Sequence, residues 1–140
     1  MNWEECIENS VKERTSNPEQ ARSLLKMSRI RLEDNDRRER TEQNISLIVE
    51  GYWEIIKQLT TGLLNLNGYK SYSQDCLITF LEEFYNFKRP EIELMDQLRR
   101  LRNDIDYRGE FLNQDYLERN EKSIKEIIEK LDNLLENELD

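Results

Sequence analysis

Residues 45–66 read ISLIVEGYWEIIKQLTTGLLNL and carry the strongest structural signal in this sequence. Apolar side chains recur there at alternating spacings of four and three residues, the period of one helix face, at Ile45, Val49, Tyr52, Ile56, Leu59, Leu63 and Leu66. Ile48, Ile55 and Gly62 widen this stripe. The pattern predicts a central helix that is contacted on two sides and that ends at Asn67-Gly68.

Helical periodicity and helix-start signals predict further helices on both sides of this one. Their predicted starts after the N-terminal segment are Asn17-Pro18, Ser73, Pro90 and Asn113. The second helix is predicted to end near Glu33 and the fifth near Gly109. We expect the third and sixth helices to be the longest.

The predicted fold class is all-α. We expect an antiparallel up-and-down bundle of four to five main helices in one domain, with residues 1–16 as a short N-terminal helix and residues 18–138 as the bundle. The N-terminal helix is predicted to run from Trp3 to about Glu13. No convincing period-two run appears, so no strand is predicted, and residues 69–72 are predicted to be a loop.

Composition restricts the class of partner. The 140 residues carry a formal net charge of -9, which opposes general binding to nucleic acid or to an anionic membrane. Contact with nucleic acid would therefore require a local basic cluster. Neither a signal peptide nor a membrane-spanning stretch is predicted, which favours a cytoplasmic location without membrane contact.

Cysteine and histidine content restricts the chemistry. Cys6 and Cys76 lie far apart without metal-ligand spacing, and we expect two reduced, buried thiols. The chain has no histidine, which excludes Ser-His and Cys-His couples and helical diiron sites of the Glu-x-x-His type. No phosphate-binding loop or nucleophile elbow is present, and we expect neither a metal nor a cofactor.

Residues 99–109, RRLRNDIDYRG, stand out because they place four arginines in a short stretch of an acidic chain. On a helix, Arg99, Arg102 and Asp106 share one face, while Asn103 and Tyr107 share a neighbouring face. The opposite face carries apolar residues predicted to enter the core, Leu98, Leu101 and Ile105. A purely structural interpretation is also open, in which surface ion pairs form at spacing i,i+4, Arg102 with Asp106 and Arg100 with Asp104.

Arg102-Asn103, three further residues and Tyr107 resemble the signature of prokaryotic HEPN domains. In that family an arginine, usually followed by asparagine, precedes a histidine by four to six residues near the end of a helix. Residues 52–59 resemble the central helix of the family, and residues 68–73 resemble the loop after it. The resemblance covers roughly residues 18–138.

The resemblance implies a helical bundle that forms a homodimer. In family members with ribonuclease activity, the two arginine–histidine motifs meet in a cleft and cleave RNA without metal. Other members are toxins paired with a small nucleotidyltransferase, or binding modules. The positions that match the catalytic motif are Arg102 and Asn103, with Tyr107 in place of the histidine. A tyrosine phenol is ordinarily protonated at neutral pH and is a poor general base.

Three functional hypotheses follow. The first is a HEPN-like component, weakly active or inactive, that binds a partner protein or RNA in a toxin–antitoxin-type module. Its binding residues would be Arg99, Arg102, Asp106 and Arg108. The second is a metal-independent ribonuclease that uses Arg102, Asn103 and Tyr107 with support from Asp106. The third is a structural or regulatory helical protein whose arginines serve only the fold.

Overall fold

Six helices and a two-stranded ribbon form the chain in a computed structural model that describes residues 1–140. The elements in chain order are α1 (Trp3–Asn9), β1 (Val11–Glu13), α2 (Pro18–Arg37), α3 (Ile45–Leu66), β2 (Tyr69–Ser71), α4 (Gln74–Phe84), α5 (Arg89–Arg108) and α6 (Gln114–Leu139). The all-α prediction is confirmed, and α3 and α6 are the longest helices at 22 and 26 residues. No helix has both the length and the apolar character needed to cross a bilayer.

Local sequence accounts for several helix ends. The Asn17 side chain accepts a hydrogen bond from the backbone N–H of Gln20, and Pro18 occupies the first turn of α2. Asn113 caps α6 in the same way, through the backbone N–H of Tyr116. Gly109 ends α5 in the left-handed conformation, with φ of 64°.

Helix α3 is the centre of the bundle and packs against α2, α4, α5 and α6. Contact was predicted on two sides of this helix, but its side chains are buried around most of its circumference. Trp53 lies outside the predicted stripe, yet it is fully buried, and its indole Nε1–H donates to Gln74 Oε1 at 3.0 Å. This hydrogen bond ties the middle of α3 to the first turn of α4.

Helix α2 continues past its predicted end near Glu33 and reaches Arg37, so that prediction is wrong. The reason is a tertiary contact of Asn35, a residue whose propensity alone disfavours a helix interior. Its buried Nδ2 donates to the carbonyl of Ile48 at 3.0 Å. The amide therefore holds the last turn of α2 against α3.

Gly51 is required where α2 meets α3. A Cβ atom at this position would lie 2.6 Å from Asn35 Oδ1 and 3.0 Å from Asn35 Cγ. We expect Gly51→Ala to lower the free energy of unfolding by about 1–3 kcal/mol, because Asn35 must leave its hydrogen bond to Ile48. This loss should exceed the gain in helix propensity.

Urea denaturation of wild type and Gly51→Ala measures this effect. Asn35→Ala/Gly51→Ala is the matched variant, since it removes the clash together with the amide. A Gly51→Ala protein as stable as wild type would contradict the close approach of the two helices.

The N-terminal segment departs from its prediction. The helix ends at Asn9, not near Glu13, and Val11–Glu13 pair antiparallel with Tyr69–Ser71. The expectations of a helix over residues 1–16, of no strand and of a loop at residues 69–72 are therefore wrong. Each strand has three residues, too few to show a period of two, and its pairing partner lies far away in the sequence.

Cys6 and Cys76 form a disulfide bond, so the prediction of two reduced thiols is wrong. Both residues are fully buried, as expected. The bond joins α1 to α4, and Trp3 on α1 packs against the rings of Tyr69, Phe80 and Phe84. Helical folding brings these two distant cysteines together, which sequence spacing does not show.

Candidate functional site

The last two turns of α5 lie at the edge of the core. The buried residues of this helix are Ile92, Met95 and Leu98. Leu101 and Ile105 are only partly buried, which corrects the expectation that both enter the core. The arginine-rich end of α5 therefore lies beside the N-terminal half of α3 and close to solvent.

Arg102 is the arginine that faces α3. Its guanidinium lies 3.6 Å from Glu54 on α3 and, through Nε, 3.1 Å from Asp106 on its own helix. The predicted pair of Arg102 with Asp106 is confirmed, although the Nε–H bond is not aimed at the carboxylate and makes no hydrogen bond. With 21% of its side chain exposed, Arg102 is a bridge between helices and not a free surface charge.

The other arginines of the segment point elsewhere. Arg99 pairs with Asp75 and Asp96, each at 2.9 Å, and Arg100 pairs with Asp96 at 3.0 Å. The predicted pair of Arg100 with Asp104 is wrong; Asp104 lies 3.9 Å from Arg108 instead. Arg99 and Arg108 thus pair with other carboxylates and do not belong to the group around Arg102.

Glu50, like Glu54, is a residue of this site that sequence reasoning missed. Its carboxyl group lies one helical turn before Glu54 and within hydrogen-bonding reach of Asp106. This hydrogen bond, together with burial and the negative charge of Asp106, raises the pKa of Glu50 to about 7, although the charge of Arg102 opposes the rise. We name Glu50, Glu54, Arg102 and Asp106 the Arg102 cluster.

Three exposed apolar side chains lie close in the chain to residues that form or adjoin the Arg102 cluster. Tyr107 follows Asp106 directly and is 80% exposed, so the structure does not bring it into the cluster. Leu47 lies one turn before Glu50 and is 44% exposed. Phe111 is 77% exposed, and the backbone N–H of the next residue, Leu112, donates to Ser46 Oγ at 2.8 Å, which places this loop at the start of α3.

The cluster offers one guanidinium among three carboxyl groups. Asn103 lies partly buried beside it on α5. No group of three or more His, Cys, Asp or Glu side chains is arranged so that it could hold a metal ion. Chemically, the arrangement provides a fixed cation next to a carboxyl group that exchanges its proton near neutral pH.

Comparison with known proteins gives no match to a family model, to a curated protein or to a solved structure.

Stability should fall as pH rises through the titration of Glu50. Because its pKa is about 7 in the fold and 4.5 as a free side chain, the folded state binds more protons than the unfolded state between these values. Glu50→Gln removes this ionisation. We expect the variant to match wild type below pH 5 and to melt about 3 °C higher at pH 8, a small shift because solvent screens the carboxyl group.

Thermal unfolding followed by circular dichroism between pH 4 and pH 8.5 tests this expectation. Glu83→Gln, an exposed glutamate on α4, is the control and should keep the wild-type pH profile. Parallel profiles for Glu50→Gln and wild type would show that Glu50 does not titrate in this range.

Proposed function

We propose that this chain is a HEPN-like helical domain that acts by binding protein, as one component of a two-protein module. The Arg102 cluster and the apolar side chains around it form its binding surface. The resemblance of residues 102–107 to the HEPN motif suggests the module, with a second copy of the chain and a small nucleotidyltransferase as partners.

One observation carries this proposal: Leu47, Tyr107 and Phe111 are exposed around the Arg102 cluster. Aromatic side chains and arginine are enriched at protein interfaces, and a few such anchors supply most of the binding free energy. The three anchors come from two helices and a loop. This arrangement is suited to binding the surface of another protein. We expect the anchors to be covered in a homodimer.

Charge favours a protein over RNA as the ligand of this surface. Arg102 is already paired with Glu54 and Asp106, and Glu50 adds a third carboxyl group. A phosphate group would meet this negative charge, and the net charge of -9 adds repulsion at longer range. A protein surface with matching polar and apolar groups avoids this cost.

Sedimentation velocity tests the homodimer. Wild type should be a dimer at micromolar concentration, and Phe111→Lys should weaken dimerisation at least tenfold by burying an unpaired charge. Ile30→Lys is the matched control, because Ile30 is an exposed apolar residue on α2 away from the Arg102 cluster. A monomeric wild type, or dissociation caused by Ile30→Lys alone, would contradict the proposed interface.

Arg102→Ala separates the binding role from a role in the fold. If Arg102 matters for binding, its loss should weaken dimerisation and any complex with a nucleotidyltransferase partner. The melting temperature should fall by a few degrees at pH 8, because Glu50 and Asp106 lose their neighbouring cation, while Glu54 keeps Lys57. Arg100→Ala is the control, since Arg100 pairs only with Asp96 on its own helix. Unchanged dimerisation of Arg102→Ala would favour the structural hypothesis.

A metal-independent ribonuclease is the second candidate, and Glu50 is the observation that favours it. A carboxyl group with a pKa of about 7 supplies the proton transfer that the missing histidine would perform. The ionised Glu50 would take the proton of an RNA 2′-hydroxyl as its oxygen bonds to phosphorus. The bond from phosphorus to the 5′-oxygen would break, water would protonate that oxygen, and Arg102 would stabilise the charge on the phosphate.

RNA cleavage in the presence of EDTA distinguishes this candidate from a binding module. A ribonuclease should lose activity in both Arg102→Ala and Glu50→Gln, whereas Tyr107→Phe tests the hydroxyl at the motif position. The Glu83→Gln control should cleave like wild type. No cleavage by wild type would exclude the ribonuclease and leave the binding proposal intact.

A further inference from the structure

The outer face of the β1–β2 ribbon carries cations that no carboxylate neutralises. Lys12 and Lys70 are directly opposite each other in the antiparallel register, an unfavourable arrangement for like charges. Neither lysine, nor the adjacent Arg14, has a carboxylate partner within 4 Å, although many other cations of this acidic chain do. An unneutralised pair of this kind is suited to an anionic ligand.

Tyr72 adds an exposed aromatic ring to the same face. It lies two residues after Lys70, at a bend directly after β2, and its backbone N–H donates to the carbonyl of Ser10 at 2.7 Å. The ring is 65% exposed, and the ammonium groups of Lys70 and Lys12 lie 5.1 and 5.9 Å from its centroid. Both ammonium groups thus lie over the ring in cation–π contact.

A cavity of about 380 Å³ opens beside Tyr72, between α3, β2 and the start of α4. Its wall includes the apolar Leu24 of α2 and Leu77 of α4 beside the polar Lys57, Gln58, Ser73 and Gln74. The buried Oε1 atom of Gln58 has no hydrogen-bond partner, which leaves an acceptor in the wall unsatisfied. The volume falls within the range of small-molecule sites, and the polar groups suit the edge of a heterocyclic base.

We propose that this surface and cavity bind a nucleoside phosphate, with the base on Tyr72 and the phosphate between Lys12 and Lys70. Aromatic stacking beside lysine is the usual means by which proteins hold unpaired nucleotides. The wall of the cavity is mostly apolar with a few polar groups, which is the usual character of a small-molecule site. The nucleotide is either free or part of a single RNA strand. This inference goes beyond the proposed function because it uses no residue of the Arg102 cluster.

The proposed site also has a link toward the Arg102 cluster. Lys57 in the cavity wall pairs with Glu54 at 2.8 Å, and Glu54 in turn contacts Arg102. An RNA strand that is bound at Tyr72 and continues along α3 would therefore approach Arg102. This path matters only for the ribonuclease candidate and is not needed for binding.

Fluorescence anisotropy with a labelled eight-nucleotide oligoadenylate, and calorimetry with AMP and with inorganic phosphate, test the site. Wild type should bind the oligonucleotide, AMP or both, and phosphate alone should bind weakly. Tyr72→Ser should raise Kd at least about fivefold, while Tyr72→Phe should stay within about twofold because it keeps the ring. Lys70→Gln should weaken binding and reduce its salt dependence.

Lys122→Gln, an exposed lysine on α6, is the matched control and should bind like wild type. Equal affinities for AMP and for the oligonucleotide would identify the free nucleotide as the ligand, and a much tighter oligonucleotide would identify the RNA strand. No binding of either probe would overturn the inference, as would binding that Tyr72→Ser and Lys70→Gln leave unchanged. Binding only to vesicles containing phosphatidylserine would also overturn it.

Discussion

Loss of the Cys6–Cys76 bond should lower the free energy of unfolding by about 4 kcal/mol, the loop-closure value for a cross-link of this span. The two cysteines are separated by 70 positions in sequence. The cross-link removes many conformations from the unfolded chain, so its loss stabilises the unfolded state. Urea denaturation of wild type with and without a phosphine reductant measures the difference.

The double variant Cys6→Ala/Cys76→Ala provides the control for this experiment. It should be as stable as reduced wild type and should not respond to the reductant. The main core cluster contains neither cysteine, so we expect the helical bundle to remain folded in the variant. Hydrogen exchange should be faster in α1 and β1 than in α3. Identical stability of oxidised and reduced wild type would contradict this expectation.

Trp53→Ala should lower the free energy of unfolding by about 3–5 kcal/mol, the usual cost of deleting a fully buried large aromatic side chain. Trp53 is fully buried in α3, and its indole N–H bonds to Gln74 at 3.0 Å. The substitution leaves a cavity between α3 and α4 and an unpaired amide oxygen on Gln74. Chemical denaturation at pH 7 measures the loss.

Ile30→Ala on α2 is the control variant. Because Ile30 is exposed, its truncation should cost less than about 1 kcal/mol. Trp53→Phe should fall between wild type and Trp53→Ala, since it keeps much of the ring volume but loses the hydrogen bond. A small effect of Trp53→Ala would mean that α3 is not enclosed on the side of α4.

The disulfide also bears on the inferred nucleotide site. Lys12 lies on β1, in the N-terminal segment that the bond fastens to α4. If reduction loosens this segment, Lys12 moves away from Tyr72 and the like-charged pair with Lys70 separates. Nucleotide binding should then be weaker in the reduced protein than in the oxidised protein, with Lys70 and Tyr72 still in place.

Patterns along the chain located every helix, although not every helix end. The apolar repeat of residues 45–66 identified the central helix, and Asn67-Gly68 its end, because a helix period shows directly which face must be buried. Asn17, Asn113 and Gly109 marked helix ends through chemistry confined to neighbouring residues. The end of α2 was missed because Asn35 is held by α3 and not by its own helix.

The candidate site was identified in part. The motif pointed to Arg102 and its pair Asp106, since spacing of four on one helix is visible in the sequence. Glu50 and Glu54 were missed because they lie on another helix, in a polar gap of the apolar repeat that resembles an ordinary solvated face. A charged residue's pKa depends on neighbours that only packing supplies.

The sequence by itself determined the helical class, the central position of α3 and the arginine motif, because each depends on periodicity or chemistry within a few residues. Only the tertiary structure decided that Cys6 meets Cys76, that Val11–Glu13 pair with Tyr69–Ser71, and that Glu50 lies beside Asp106. These contacts join residues far apart in the chain. Their formation depends on how the buried faces of several helices fit together, which no local pattern records.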